Sequence, residues 1–128
     1  MPRQTIDTPD APKPLGPYVQ AVRAGDLLFI SGQLPIDPAT GTLVRAGVKA
    51  QTRRTIDNLR AILAAAGGSL DSVVKVTVYV KSLDDFAQVN EVYAEMFGAN
   101  KPARMAVESP RLPKDAAVAL DAIAWLGS

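Results

Sequence analysis

Asp121 is the residue whose position most calls for an explanation, because "AAVALDAIAWL" is otherwise apolar from Ala116 to Leu126. An isolated buried carboxylate costs on the order of several kcal/mol, so it must be paired, hydrogen-bonded or neutral. Two readings follow: half of a salt bridge to Lys75, the cation inside "VVKVTV", or a catalytic carboxylate. Arg104, in "NKPARMAVESPRLP", is the second candidate. A guanidinium does not deprotonate and presents a rigid fork of donors, which suits bidentate capture of a carboxylate; the alternative is a solvated arginine on a strand. Tyr18 after Gly16-Pro17, Ser31 at a strand end and Asn90 beside an apolar helical stripe complete the polar candidates. Each also has an ordinary structural use as a turn anchor, a cap or a solvated helix residue.

The chain has no histidine and no cysteine. This excludes Ser-His-Asp and Cys-His nucleophiles, thiolate chemistry, disulfides and the usual zinc, copper and iron sites, so neither a metal nor another cofactor is expected. Chemistry must come from Arg, Lys, Asp, Glu, Tyr, Ser, Thr, backbone groups and water. A net charge of +1 gives no electrostatic case for nucleic acid or an anionic membrane. No segment approaches the ~20 apolar residues that span a bilayer and no end reads as a signal, so a cytoplasmic protein is expected. At 128 residues, 48% of them hydrophobic, residues 1–128 are expected to form one domain.

The elements that must position these residues follow from patterning. Five prolines in the first seventeen residues make a non-helical lead-in. Strands are expected at Tyr18 to Arg23 and Asp26 to Ser31, joined as a hairpin at Ala24-Gly25. "PIDPATGTL" reads as a loop with at most a short strand at Thr42 to Val44. Val48, Ile56, Leu59, Ile62, Leu63 and Ala66 recur at helical spacing up to Gly67-Gly68. "SVVKVTVYVK" alternates, with Val74, Val76, Val78 and Val80 on one face of a strand and Lys75, Thr77, Tyr79 and Lys81 on the other. Ser82 and Asp85 then read as caps for a helix bearing Phe86, Val89, Tyr93 and Phe97, stopped near Gly98. Strands at Ala103 to Ser109 and Ala116 to Leu126 end the chain.

The order ββ, α, β, α, ββ contains two β-α-β units, and their right-handedness places both helices on one face of a mixed sheet. The other face is expected to carry Phe29, Ser31, Lys75, Thr77, Tyr79, Arg104, Ala106, Glu108, Asp121, Ile123 and Trp125. It is too apolar for open water and too polar for a plain core, which predicts burial against further copies of the chain. A simple hairpin centred between Leu112 and Pro113 would set Arg104 opposite Asp121.

Taken together, "GPYVQAV", "ISGQLPIDPATG", "TIDNLRAILAAAG", "VVKVTVYVKSLDDFAQVNEVYAEMF", "PAR", "RLPKD" and "AIA" resemble the RidA (YjgF/YER057c/UK114) family of reactive-intermediate deaminases over nearly the whole chain. The resemblance implies an α+β, chorismate-mutase-like fold: a mixed β-sheet with two helices on one face, assembled as a homotrimer with clefts between subunits. It also implies that the last strand lies between those of Ser31 and Lys75, against the simple hairpin. The implied reaction is hydrolysis of 2-imino acids such as 2-iminopropanoate and 2-iminobutanoate to 2-oxo acids and ammonia, without metal. In this likeness Arg104 binds the substrate carboxylate, Tyr18, Ser31 and Asn90 are polar cleft positions, and Asp121 stands where a glutamate positions or activates water. The chain departs from the pattern in a shorter "FGANKP" segment, in Met105 for a small residue, in Ala106 for cysteine and in Asp121 itself.

A second function class is a non-catalytic trimer that binds small carboxylates in the same clefts as a sensor or holdase. Endoribonuclease activity ranks below both, since there is no histidine base and no basic excess to hold RNA.

Overall fold

The computed structural model describes residues 3–127. Strands β1 (Gln4–Ile6), β2 (Ala21–Ala24), β3 (Leu27–Gln33), β6 (Val73–Val80), β7 (Ala103–Glu108) and β8 (Val118–Trp125) form one sheet, and β4 (Ile36–Asp37) and β5 (Thr42–Leu43) form a separate small hairpin. The sheet order is β1-β2-β3-β8-β6-β7, antiparallel throughout except for the parallel pair β6-β7. Helix α1 (Val48–Ala65) crosses from β3 to β6, and α2 (Phe86–Phe97) from β6 to β7. Both helices lie on the same face, as the two β-α-β units require. None of the described helices is long and apolar enough to cross a membrane.

Local chemistry explains the element ends. Helix α1 stops in a Schellman arrangement, with the Gly67 amide donating to Ala64 O, the Gly68 amide to Leu63 O, and Gly67 at φ 86°. A 3-10 turn over Leu83–Asp85 precedes α2, and the Ser82 hydroxyl accepts from the Asp84 amide at 3.2 Å. Between the helices and the sheet, Leu28, Val76, Val78, Val80, Val118 and Leu120 meet Ile56, Leu59, Ile62, Leu63, Val89 and Phe97, all at 3% exposure or less. Each such side chain contributes about 1.5–3 kcal/mol.

Four expectations change. The proline-rich lead-in contains β1, which pairs with β2 through Thr5 and Val22; three residues are too few to show a period. The next strand begins at Ala21 rather than Tyr18, because the preceding segment is held by side chains instead of a ladder. Buried Gln20 accepts from the Thr8 amide at 2.7 Å and donates to the Thr8 and Pro12 carbonyls, both at 3.0 Å. In β6 a register shift between Val73 and Lys75 leaves Val74 46% exposed, so Val73 takes the core place expected of Val74.

The fourth correction bears on the site. Since β8 lies between β3 and β6, Arg104 and Asp121 are not opposite one another. In the parallel ladder Arg104 is in register with Val76, Ala106 with Val78 and Glu108 with Val80, so all three belong to the helix-covered face. The open face instead takes Met105 and Val107 from this strand, beside Thr77 and Tyr79. "ARMAVE" is an edge strand without alternation, and its facing is decided by pairing alone. Phe29 and Trp125 of the expected open face remain 43% and 49% exposed, and Leu27 and Met105, which the sequence reading did not place there, add to its apolar surface at 39% and 57%.

Candidate active site

The sequence candidates separate into two clusters on opposite faces of the sheet. The first surrounds Arg104 at the edge strand. Phe86, Asn90 and Tyr93 recur on one side of α2 at spacings of four and three residues. Arg104 Nη1 donates to Asn90 Oδ1 at 2.7 Å, and its Cζ lies 5.1 Å from the Phe86 ring centroid and 4.9 Å from that of Tyr93. The guanidinium is thus oriented by one hydrogen bond and two aromatic rings. It stays exposed, and among the described residues it has no carboxylate partner. A planar cation held this way, with donors to spare, can receive a carboxylate. Burial pushes the Tyr93 phenol up while the Arg104 charge pulls it down, and its buried hydroxyl has no hydrogen-bond partner among the described residues.

The second cluster lies on the open face, around a cavity of about 640 Å³. Asp121, Ala119 and Tyr79 line it from β8 and β6, Tyr18, Leu15, Gly32 and Leu34 from the lead-in and the end of β3, and Ser109, Leu112 and Pro113 from the loop between β7 and β8. Asp121 is half-buried and in register with Thr77, while Tyr79 faces Ala119, so the two are diagonal neighbours on adjacent strands. The Tyr79 hydroxyl donates to Asp121 Oδ2 at 3.1 Å. Burial, then the Asp121 charge and this hydrogen bond, raise the Tyr79 phenol above its ordinary value. The expected structural partner is not there: among the described residues Lys75 makes no ion pair with Asp121.

Tyr18 is exposed, and its hydroxyl accepts from the Leu15 amide at 3.2 Å. Ser31 lies where the register of β3 against β8 shifts between Ile30 and Gln33, and its hydroxyl donates to Val19 O at 2.6 Å. The irregularity brings the neighbouring Gly32 to the cavity wall. Buried Asn58 anchors the adjoining stretch by donating to the Leu34 and Ile36 carbonyls at 3.0 and 2.9 Å.

The loop bearing Leu112 and Pro113 turns through Lys114 and Asp115, both left-handed at φ 58°. Lys81 Nζ reaches Asp115 Oδ1 at 2.6 Å, and this hydrogen bond and charge hold the Asp115 carboxyl below its usual range. Among the described residues no three acidic side chains gather as a cation site.

Sequence reasoning singled out Arg104, Asn90, Asp121 and Tyr18 one by one and set Arg104 on one face with Asp121; it did not foresee the aromatic seat of Arg104 or the hydrogen bond from Tyr79 to Asp121. The four- and three-residue spacing of Phe86, Asn90 and Tyr93 carries the first signal. The second needs the strand pairing, since Tyr79 and Asp121 are 42 residues apart.

Comparison with known proteins is consistent along the chain. A family model described as endoribonuclease L-PSP matches residues 8–126. A RutC family protein of Pyrococcus horikoshii is 58% identical over 123 residues, 96% of this chain and 98% of that protein. The 2-iminobutanoate/2-iminopropanoate deaminase of Escherichia coli is 48% identical over 124 residues, 94% of this chain and 96% of the other. The structure of Escherichia coli TdcF with bound serine superposes with a TM-score of 0.93 at 42% identity, covering 97% of this chain and 99% of that one. With these likenesses, and with the mixed sheet and paired helices that its motifs anticipate, the chain belongs to the RidA (YjgF) family.

Proposed function

We propose that this protein hydrolyses 2-imino acids to 2-oxo acids and ammonia, in clefts formed where copies of the chain meet. The observation that carries the reading is Arg104: an exposed guanidinium, fixed by Asn90, Phe86 and Tyr93, without an acidic partner among the described residues. It is the group that would anchor the substrate carboxylate. Relatedness to a deaminase over nearly the full length of both chains supports the reaction, and a related structure with bound serine supports a small carboxylate as ligand.

Arg104 and Asp121 lie on opposite faces of one sheet, so a single copy does not bring them to one substrate. The apolar open face supports assembly, and a homotrimer supplies the missing half: the edge strand and α2 of one copy against the Asp121 cavity of the next. In that cleft the protonated imine is already electrophilic. Asp121 accepts a proton from water as the oxygen adds to C2 and passes it to the nitrogen of the resulting carbinolamine; the C–N bond then breaks as the hydroxyl proton goes to Asp121 and the C=O forms, releasing ammonia. Tyr18, Ser31 and Asn90 act by lining the cleft or holding the residues that do.

The second reading, a trimer that binds small carboxylates without turnover, draws on the bound serine of the related structure, since serine carries the carboxylate but no imine. Ribonuclease chemistry is opposed by the absence of histidine and the near-neutral charge. Coupling the protein to a dehydratase that releases 2-iminopropanoate separates these readings. Faster ammonia release than in buffer supports hydrolysis, and carboxylate binding with no acceleration supports the second reading.

A further inference from the structure

Besides the residues already assigned, Tyr79 and Ser109 are the polar residues that line the large cavity, and of the two only Tyr79 is hydrogen-bonded to Asp121 among the described residues. Its place in the chain suggests a mere alternating strand residue, yet its hydroxyl is committed to Asp121 Oδ2 at 3.1 Å. No ion pair or second side-chain hydrogen bond restrains that carboxylate among the described residues. Both groups line the same cavity, whose lining is otherwise mostly apolar, with Leu15, Leu34, Leu112 and Pro113 beside the polar Tyr18 and Ser109.

We propose that Tyr79 is a positioning residue for hydrolysis: it fixes the Asp121 side chain through Oδ2 and leaves Oδ1 to receive the proton of the attacking water. The proposal rests on the deaminase reading. An aspartate carboxylate can turn about its own bond, and its two oxygens are equivalent until one is engaged. Tyr79 sits on β6, which is paired on both sides by β7 and β8, so its ring is held by a strand hydrogen-bonded along both edges and its hydroxyl supplies a reference point for the carboxylate. Burial and the adjacent carboxylate both favour the neutral phenol. The hydroxyl therefore remains a donor at neutral pH.

Tyr79→Phe removes one oxygen and keeps the ring, so it tests the hydroxyl without opening the core. Ammonia release from freshly generated 2-iminopropanoate is measured first with the unaltered protein; no acceleration there removes the deaminase reading and the positioning role with it. Given turnover, Tyr79→Phe is expected to lower kcat by about tenfold to a hundredfold, the scale of a misplaced catalytic group, with KM within about twofold and an unchanged melting temperature. An unchanged kcat, or a loss that only tracks a lower melting temperature, overturns the proposal and leaves the deaminase reading intact. Ultraviolet titration of the phenols supplies a readout independent of turnover. Asp121→Asn should bring the late-titrating phenol that is missing in Tyr79→Phe back toward its ordinary value, and no movement would mean that the pair does not form.

Discussion

Replacing Arg104 by alanine removes one hydrogen bond of 2.7 Å to Asn90 and two ring contacts at 5.1 and 4.9 Å. The side chain is exposed, so the structural loss is small: about 1 kcal/mol from the hydrogen bond and about 0.5–1 kcal/mol from the cation–π contacts. A decrease of several degrees in Tm is the expected cost, with folding retained. The functional loss is of another size, because a substrate carboxylate drawn into the cleft would lose its charged partner. Truncating one member of such a pair costs about 2–5 kcal/mol, or roughly 30-fold to several thousandfold in kcat/KM. Arg104→Lys keeps the charge but not the planar fork, and should still lose at least about tenfold. The assay is ammonia release from 2-iminopropanoate generated in place, read beside thermal unfolding of each variant. Wild-type kcat/KM in Arg104→Ala would refute the anchor, and a Lys variant equal to wild type would refute the need for a bidentate fork.

Two further outcomes follow from the open face and the loop. Phe29→Asp sets a charge in the exposed apolar face and should yield monomers by light scattering with helix content retained; a wild-type protein that is monomeric at micromolar concentration would contradict assembly. Asp115 has its carboxyl held low by Lys81, so its contribution to stability is present above the ordinary carboxylate range and is lost as pH falls through the folded-state value. Asp115→Asn, which tolerates the same left-handed backbone, should therefore lower Tm at neutral pH and match wild type in acid, whereas an equal deficit at both would point to the backbone.

How far the sequence could be read depended on how local each signal was. Both helices were legible because apolar spacing and end signals lie within a few residues of each other, as with Leu59, Ile62 and Leu63 before Gly67-Gly68. The β-α-β handedness followed from chain order alone. Facing was legible only where alternation is strong: Val76, Val78 and Val80 are core as expected, while the irregularity at Val74 broke the pattern silently. The edge strand gave no pattern, and Arg104 was assigned to the wrong face; a parallel register is fixed by long-range pairing with Val76, not by its own neighbours. For the same reason Asp121 was noticed from its apolar surroundings, but its partner Tyr79 was not.

The central claim is that imines are hydrolysed at a site shared between copies, with Arg104 from one and Asp121 from another, and a mixing experiment tests it most directly. Arg104→Ala and Asp121→Asn proteins, each inactive alone, are unfolded together in equal amounts and refolded, and ammonia release from 2-iminopropanoate is compared with wild type treated identically. If each site draws the two residues from different copies of a trimer, about a quarter of the sites receive both intact residues and about a quarter of wild-type turnover returns. If the residues act within one copy, every site lacks one of them, and the mixture stays as inactive as its components.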